Sequence, residues 1–239
     1  MEYVYRPHAI AIALALAFNG MNALAQLRPA RTFILIGPPG SGKTTQAEYL
    51  RKRYKIPAIS LPKLLAEEIS RHSTVGTAAA SSLASGEFLG DGPANDLMLA
   101  RLLRPDAGRG FILDGYPSSD GQARALDRWL AERQMPKPTV IVLNVPEDVS
   151  RSRMLKRKGA DDQPAEIERR LGDYRDIGRL VEKWYGADHV AQVDGTGTAA
   201  EVALRVANGI DEVQSRKSLL QRPAEPGGLK HRDDASEQK

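Results

Sequence analysis

Between Gly37 and Thr45 the chain reads GPPGSGKTT, with Gly37, Gly42, Lys43 and Thr44 at the G-x-x-x-x-G-K-[ST] spacing of a phosphate-binding P-loop. Each residue type has a chemical reason to be there. Glycines let the backbone turn tightly enough for several N–H groups to face one anion. Lys43 adds positive charge toward the β- and γ-phosphates, and the start of a helix adds its dipole. The Thr44 hydroxyl can ligate Mg²⁺. The candidate residues for a nucleoside triphosphate are therefore Gly37, Pro38, Pro39, Gly40, Ser41, Gly42, Lys43, Thr44 and Thr45. Asp114 closes the apolar run GFILD, and an acid at the carboxyl end of a strand beside a P-loop is the expected second Mg²⁺ ligand.

Such a loop works only between a strand and a helix, and the flanks supply both. Thr32 to Ile36 (TFILI) is β-branched and apolar, and Lys43 to Tyr54 reads as the helix that follows. Further apolar runs predict strands at Ile56–Ser60, Gly110–Asp114, Thr139–Val145 and His189–Asp194. The runs are continuous rather than alternating, as in strands covered on both faces. Helical spacing marks Gln122–Arg133, Asp148–Lys158, Glu166–Tyr185 and Ala199–Val213. Strand–helix alternation predicts a three-layer α/β P-loop fold with a parallel sheet, spanning residues 31–213.

Composition excludes several alternatives. A hydrophobic fraction of 41% with 27% charged residues is that of a globular protein. The net charge of +4 is too weak to argue for nucleic acid, and no nucleic-acid-binding motif is present. No cysteine occurs, so disulfides, thiolate catalysis and thiolate metal sites are ruled out. Residues 1–25 carry a short apolar run, Ala9 to Phe18, and then Ala23-Leu24-Ala25 before Gln26. That pattern has the form of a secretory signal, which would make the protein periplasmic or secreted. An Ala-rich helix, or initiation at Met21 giving a cytoplasmic protein, is the alternative. The run is too short to span a bilayer, so no stable membrane span is expected. Residues 214–239 mix Pro, Gly and charge without apolar periodicity and read as a disordered tail.

Five stretches in order, GPPGSGKTTQAEYL, GFILDGYPSSDGQARALD, VIVLNVPEDVSRSRMLKR, DDQPAEIERRLGDYRD and VDGTGTAAEV, resemble the adenylate kinases and, more broadly, the nucleoside monophosphate kinases. The resemblance covers most of Thr32 to Ile210. It implies a five-stranded parallel sheet, a monophosphate-binding segment, a short lid, and transfer of the γ-phosphoryl of MgATP to a nucleoside monophosphate. The expected partners are thus ATP and that monophosphate, with the protein acting as a monomer. On the donor side the resemblance assigns Arg153 to the adenine, Arg157 and Arg170 to the phosphates, and Gly197 to the loop whose backbone meets the adenine. Lys43, Arg157 and Arg170 are then the catalytic candidates. Asp161 and Asp162 match the acidic pair of the lid, and Gln122 matches a residue that reads the acceptor base.

The acceptor side departs from the pattern. Where the family usually has S-T-G-D-x-x-R, Ser60 to Ala66 reads SLPKLLA, and Ser118 stands in place of an arginine after Pro117. Gly159 replaces a lid arginine ahead of the acidic pair. Each lost charge-assisted hydrogen bond costs about 1.5–3 kcal/mol, so two acceptor arginines account for roughly 10²–10⁴ in affinity. Lys63 and Arg124 lie close enough in sequence to compensate, although a lysine cannot reproduce a bidentate fork. A nucleotide-binding homologue with weakened catalysis, or a kinase for another small acceptor, are the alternatives to AMP phosphorylation.

Overall fold

Five apolar runs become five parallel strands: β1 (Arg31–Ile36), β2 (Ala58–Ser60), β3 (Gly110–Asp114), β4 (Thr139–Asn144) and β5 (Val190–Asp194). They form one sheet in the order β2-β3-β1-β4-β5. The computed structural model describes residues 30–84, 90–157 and 162–220. β2 is shorter than the run Ile56–Ser60 because Pro57 has no N–H to give to the ladder, although its carbonyl still accepts from Ile112 N at 2.9 Å.

Successive strand residues point to opposite faces, and both faces are apolar. Phe33, Leu35, Ile112, Ile141 and Leu143 pack under α1 (Lys43–Tyr54) and α8 (Ala199–Leu220), meeting Leu50, Val202, Val206 and Ile210. On the other face, Ile34, Ile36, Phe111, Leu113, Val140 and Val142 meet side chains of three helices. These are Met98 and Leu102 of α4 (Asp91–Leu102), Leu126, Trp129 and Leu130 of α5 (Asp120–Glu132), and Tyr185 at the end of α7 (Pro164–Tyr185). The result is the expected three-layer sandwich. α2 (Leu61–Ser70) and α3 (Thr74–Ala84) join α4 between β2 and β3, a segment whose three helices the sequence pattern did not announce.

The 213/214 boundary needs correction. α8 runs to Leu220, because Arg216 donates to Ala187 O and Val190 O, both at 2.9 Å, and docks the final turns on the sheet edge. Residues 214–220 are therefore helical. The remainder of the expected tail lies outside the described residues, as does the expected signal segment, residues 1–25. No described helix is long and apolar enough to cross a membrane.

The strand order places the site. From β1 the chain goes to β2 at one edge, returns to β3 beside β1, then crosses to β4 and β5 on the other side. Ligands in such sheets bind outside the carboxyl ends of the strands at that reversal, here just beyond Ile36.

Candidate active site

Beyond Ile36, Gly37–Gly42 turns the chain into α1, and the turn needs its glycines. Gly40 and Gly42 hold φ of +79° and +94°, in the left-handed region. A Cβ on Gly40 would also lie 2.8 Å from Ser150 O, because α6 (Glu147–Arg157) packs directly against the loop. α1 begins with no capping side chain and no acid in its first turn, so its leading N–H groups have no internal acceptor. An open helix start over a glycine turn suits an anion of external origin.

Lys43 Nζ donates to Gly37 O at 2.7 Å and Pro38 O at 3.0 Å, which holds the ammonium over the turn. Burial pushes its pKa down to about 8. Asp114 opposes that shift, while the positive charges of Arg170 and Arg157 add to it. Both arginines are thus near enough to act electrostatically on the cradle lysine. Thr44 Oγ1 donates to Asp114 Oδ2 at 3.2 Å, so a hydroxyl and a carboxylate stand side by side at the mouth of the cradle. The register that pairs Leu35 with Asp114 brings them there.

The two arginines are held differently. Arg157, at the end of α6, donates from Nε and Nη2 to Asp162 Oδ2 and Oδ1 at 2.9 and 2.6 Å. Asp162 is buried, with its side chain 1% exposed. Arg170, on α7, is half-buried and forms no ion pair with any described residue. A small apolar cluster, Met154, Ile167 and Leu171, locks α6 to α7 and so fixes the separation of the two helices that carry them. Arg153 lies one turn before Arg157 and donates to Gly195 O at 3.1 Å and Gly197 O at 3.4 Å. The loop after β5 and the cradle therefore share one guanidinium as neighbour, since Arg153 Nη1 also reaches Gly40 O at 3.5 Å. Asp161 lies outside the described residues, along with Gly159 and the rest of 158–161.

On the acceptor side Gln122 is buried in the first turn of α5, and its amide is committed to protein partners. Oε1 accepts from Ser118 N at 2.8 Å and from Ser118 Oγ at 3.0 Å, while Nε2 donates to Asp91 Oδ1 at 3.2 Å. Ser119 Oγ also donates to Asp91, at 2.6 Å, and accepts from Gln122 N as the helix cap. Asp91 escaped the sequence reading because GDG looks like a turn. Its role appears only when α4 and α5 are brought together. Arg124 does not serve as a compensating cation: its guanidinium lies 5.0 Å from the centre of the Trp184 ring, occupied by a cation–π contact. Lys63 sits exposed in the first turn of α2.

Comparison with known proteins agrees with this geometry. Residues 35–190 match the family model described as adenylate kinase. Among individual relatives, adenylate kinase of Micrococcus luteus is 35% identical over 192 residues, covering 78% of this chain and 94% of the relative. The Rhodococcus erythropolis enzyme is 37% identical over 172 residues, 72% and 94% of the two chains. That of Xanthomonas campestris pv. campestris is 37% identical over 182 residues, 74% and 97%. The match takes in the cradle, Asp114 and both arginine-bearing helices, and the chain belongs to the adenylate kinase family.

Proposed function

We propose that this protein transfers the γ-phosphoryl group of MgATP to a nucleoside monophosphate, AMP foremost, from an acceptor site weaker than the family's usual one. The observation that carries the reading is the convergence of charge on Lys43, where Asp114, Arg157 and Arg170 all act at one ammonium beside an uncapped helix start. The acceptor's phosphate oxygen attacks the γ-phosphorus, the bond to the β–γ bridging oxygen breaks, and two diphosphates result. Such a transition state is loose and highly charged, so the protein contributes position and electrostatic stabilisation. Lys43 and the first-turn N–H groups neutralise the donor phosphates, and Arg157 and Arg170 face the transferring group.

Thr44 and Asp114 suit Mg²⁺, which prefers oxygen ligands and keeps several waters. Bound there, the ion would neutralise phosphate charge. Among the described residues no group of three or more His, Cys, Asp or Glu is arranged to hold a metal, so phosphate and water oxygens would complete the shell.

A weakened acceptor site is supported by Ser118 and by the committed amide of Gln122. Replacing Ser118 by Arg restores a fork and removes the hydroxyl that donates to Gln122 Oε1. Ser118→Arg should lower the AMP Michaelis constant about 10-fold to 100-fold. An unchanged constant would place the divergence elsewhere in the pocket. Initial rates with MgATP against AMP, GMP, CMP and UMP test the function itself. The expectation is turnover with AMP exceeding the others, and absence of turnover with all four would defeat it.

Lys43 also makes donor binding depend on pH. Its pKa of about 8 in the free protein lies below the ordinary 10.5, so between those values the side chain is largely neutral. Triphosphate charge favours the ammonium and raises that pKa, so binding above pH 8 takes up a proton and weakens as pH rises. Titration calorimetry at pH 9, in buffers of different ionisation enthalpy, should show net proton uptake that is absent in Lys43→Met. Equal heats in all buffers would contradict it.

A further inference from the structure

The loop after β5 is gripped from two sides in a regular way. Arg205 Nη1, from α8, donates to Asp194 O at 2.8 Å and Thr196 O at 2.7 Å. Arg153, from α6, takes the intervening carbonyls, Gly195 O and Gly197 O. Four successive carbonyls are thus shared alternately between two guanidinium groups on separate helices. The loop's N–H groups are spoken for as well. Gly195 N donates to Asn144 O at 2.8 Å, Thr196 N to Asp194 Oδ1 at 2.9 Å, and Thr198 N to Glu201 Oε2 at 2.8 Å. The last belongs to a capping box, completed by Glu201 N donating to Thr198 Oγ1 at 3.3 Å. Among the loop's described N–H groups, that of Gly197 alone has no acceptor within the protein.

We propose that Arg205 is a positioning residue for the donor base: it holds the Asp194–Gly197 backbone in the one conformation that presents the Gly197 N–H to a ring nitrogen of the purine. The inference rests on the donor-site reading above. Arg153 faces the cradle, reaching Gly40 O, and is the arginine assigned to the base. Once it turns to a ligand, its hold on Gly195 O and Gly197 O is given up. Arg205 sits on the opposite helix, is paired with the Asp194 carboxylate at 3.3 Å, and keeps its two carbonyls whether or not nucleotide is bound. Arg205 meets both carbonyls through one nitrogen, Nη1, so a lysine at this position keeps a charged donor able to recover part of the contact. The contribution is specific to the base: the phosphates are held by the cradle and gain nothing from the β5 loop.

The test is titration calorimetry of the full chain with MgATP and, separately, with inorganic tripolyphosphate and Mg²⁺, for wild type, Arg205→Gln and Arg205→Lys. The loss of an anchor on the base-reading loop should weaken MgATP about tenfold in Arg205→Gln, with tripolyphosphate unchanged and partial recovery of ATP affinity in Arg205→Lys. Under saturating ATP, kcat should stay at the wild-type value while the ATP Michaelis constant rises. Equal weakening of both ligands would show a general loosening of the fold and overturn the inference. So would unchanged ATP affinity in Arg205→Gln beside a wild type that binds ATP normally. A wild type that binds neither ligand would instead remove the donor-site reading, and this inference with it.

Discussion

Lys43→Met should lower kcat by about 10²–10³, the usual cost of removing one preorganised donor from a developing negative charge. Its effect on folding should be small. The substitution keeps the length and apolar stem of the side chain and removes only the ammonium. In the free protein that ammonium spends its hydrogen bonds on two backbone carbonyls, Gly37 O and Pro38 O, at 2.7 and 3.0 Å. Those contacts aim it over the phosphate turn, and its lowered pKa reports how little water surrounds it. A triphosphate replaces carbonyl dipoles with full negative charge, and the gain is greatest as charge builds on the departing oxygen. Steady-state kinetics with MgATP and AMP, alongside a melting curve, separate the two effects. A kcat equal to wild type would mean that the ammonium does not face the transferring group.

Arg170→Ala should be costlier still, about 10³ or more in kcat, the range seen when an arginine is withdrawn from a phosphoryl-transfer transition state. The structure gives a reason to separate it from Arg157. Arg170 makes no ion pair with a described residue and its charge opposes that of Lys43, so its removal should change the melting temperature little. Arg157 donates two hydrogen bonds to the buried carboxylate of Asp162. Arg157→Ala should therefore lower turnover and stability together, the latter by about 1–3 kcal/mol for hydrogen bonds withdrawn from a buried charged group. Comparable melting curves for the two variants would contradict the assigned difference. Comparable kcat for Arg170→Ala and wild type would remove Arg170 from the transfer step.

The strands were legible in the sequence because burial on both faces leaves continuous apolar runs, which local reading detects. The cradle was legible because its geometry is local: glycine, lysine and threonine act within nine residues. The three helices between β2 and β3 were not. α3 is mostly Thr, Ala and Ser, with Val75 and Leu83 its only large apolar residues, and α4 starts with Asp91-Gly92-Pro93, which reads as a turn. Its Ala94, Met98 and Leu102 do recur at i, i+4 and i+8, a signal that was available. Arg124 could not be assigned from its neighbours, since the ring that engages it, Trp184, lies far along the chain on α7. Gln122 shows the same limit. Its residue type and position were readable, but whether its amide is free depends on Asp91, 31 residues upstream, and on a serine where an arginine was expected. Side chains on separate helices meet only after the sheet is assembled.

In the proposed reaction Lys43, Arg157 and Arg170 surround a phosphoryl group in transit between two nucleotides. Incubation of the purified chain with Mg²⁺, AMP and ATP labelled at the γ-phosphate tests it directly, by following where the label goes. Label should appear in ADP, in step with loss of labelled ATP, and about 10³-fold more slowly in Arg170→Ala. Label that stays in ATP bound to the protein, or leaves only as inorganic phosphate at the same rate with and without AMP, would contradict it.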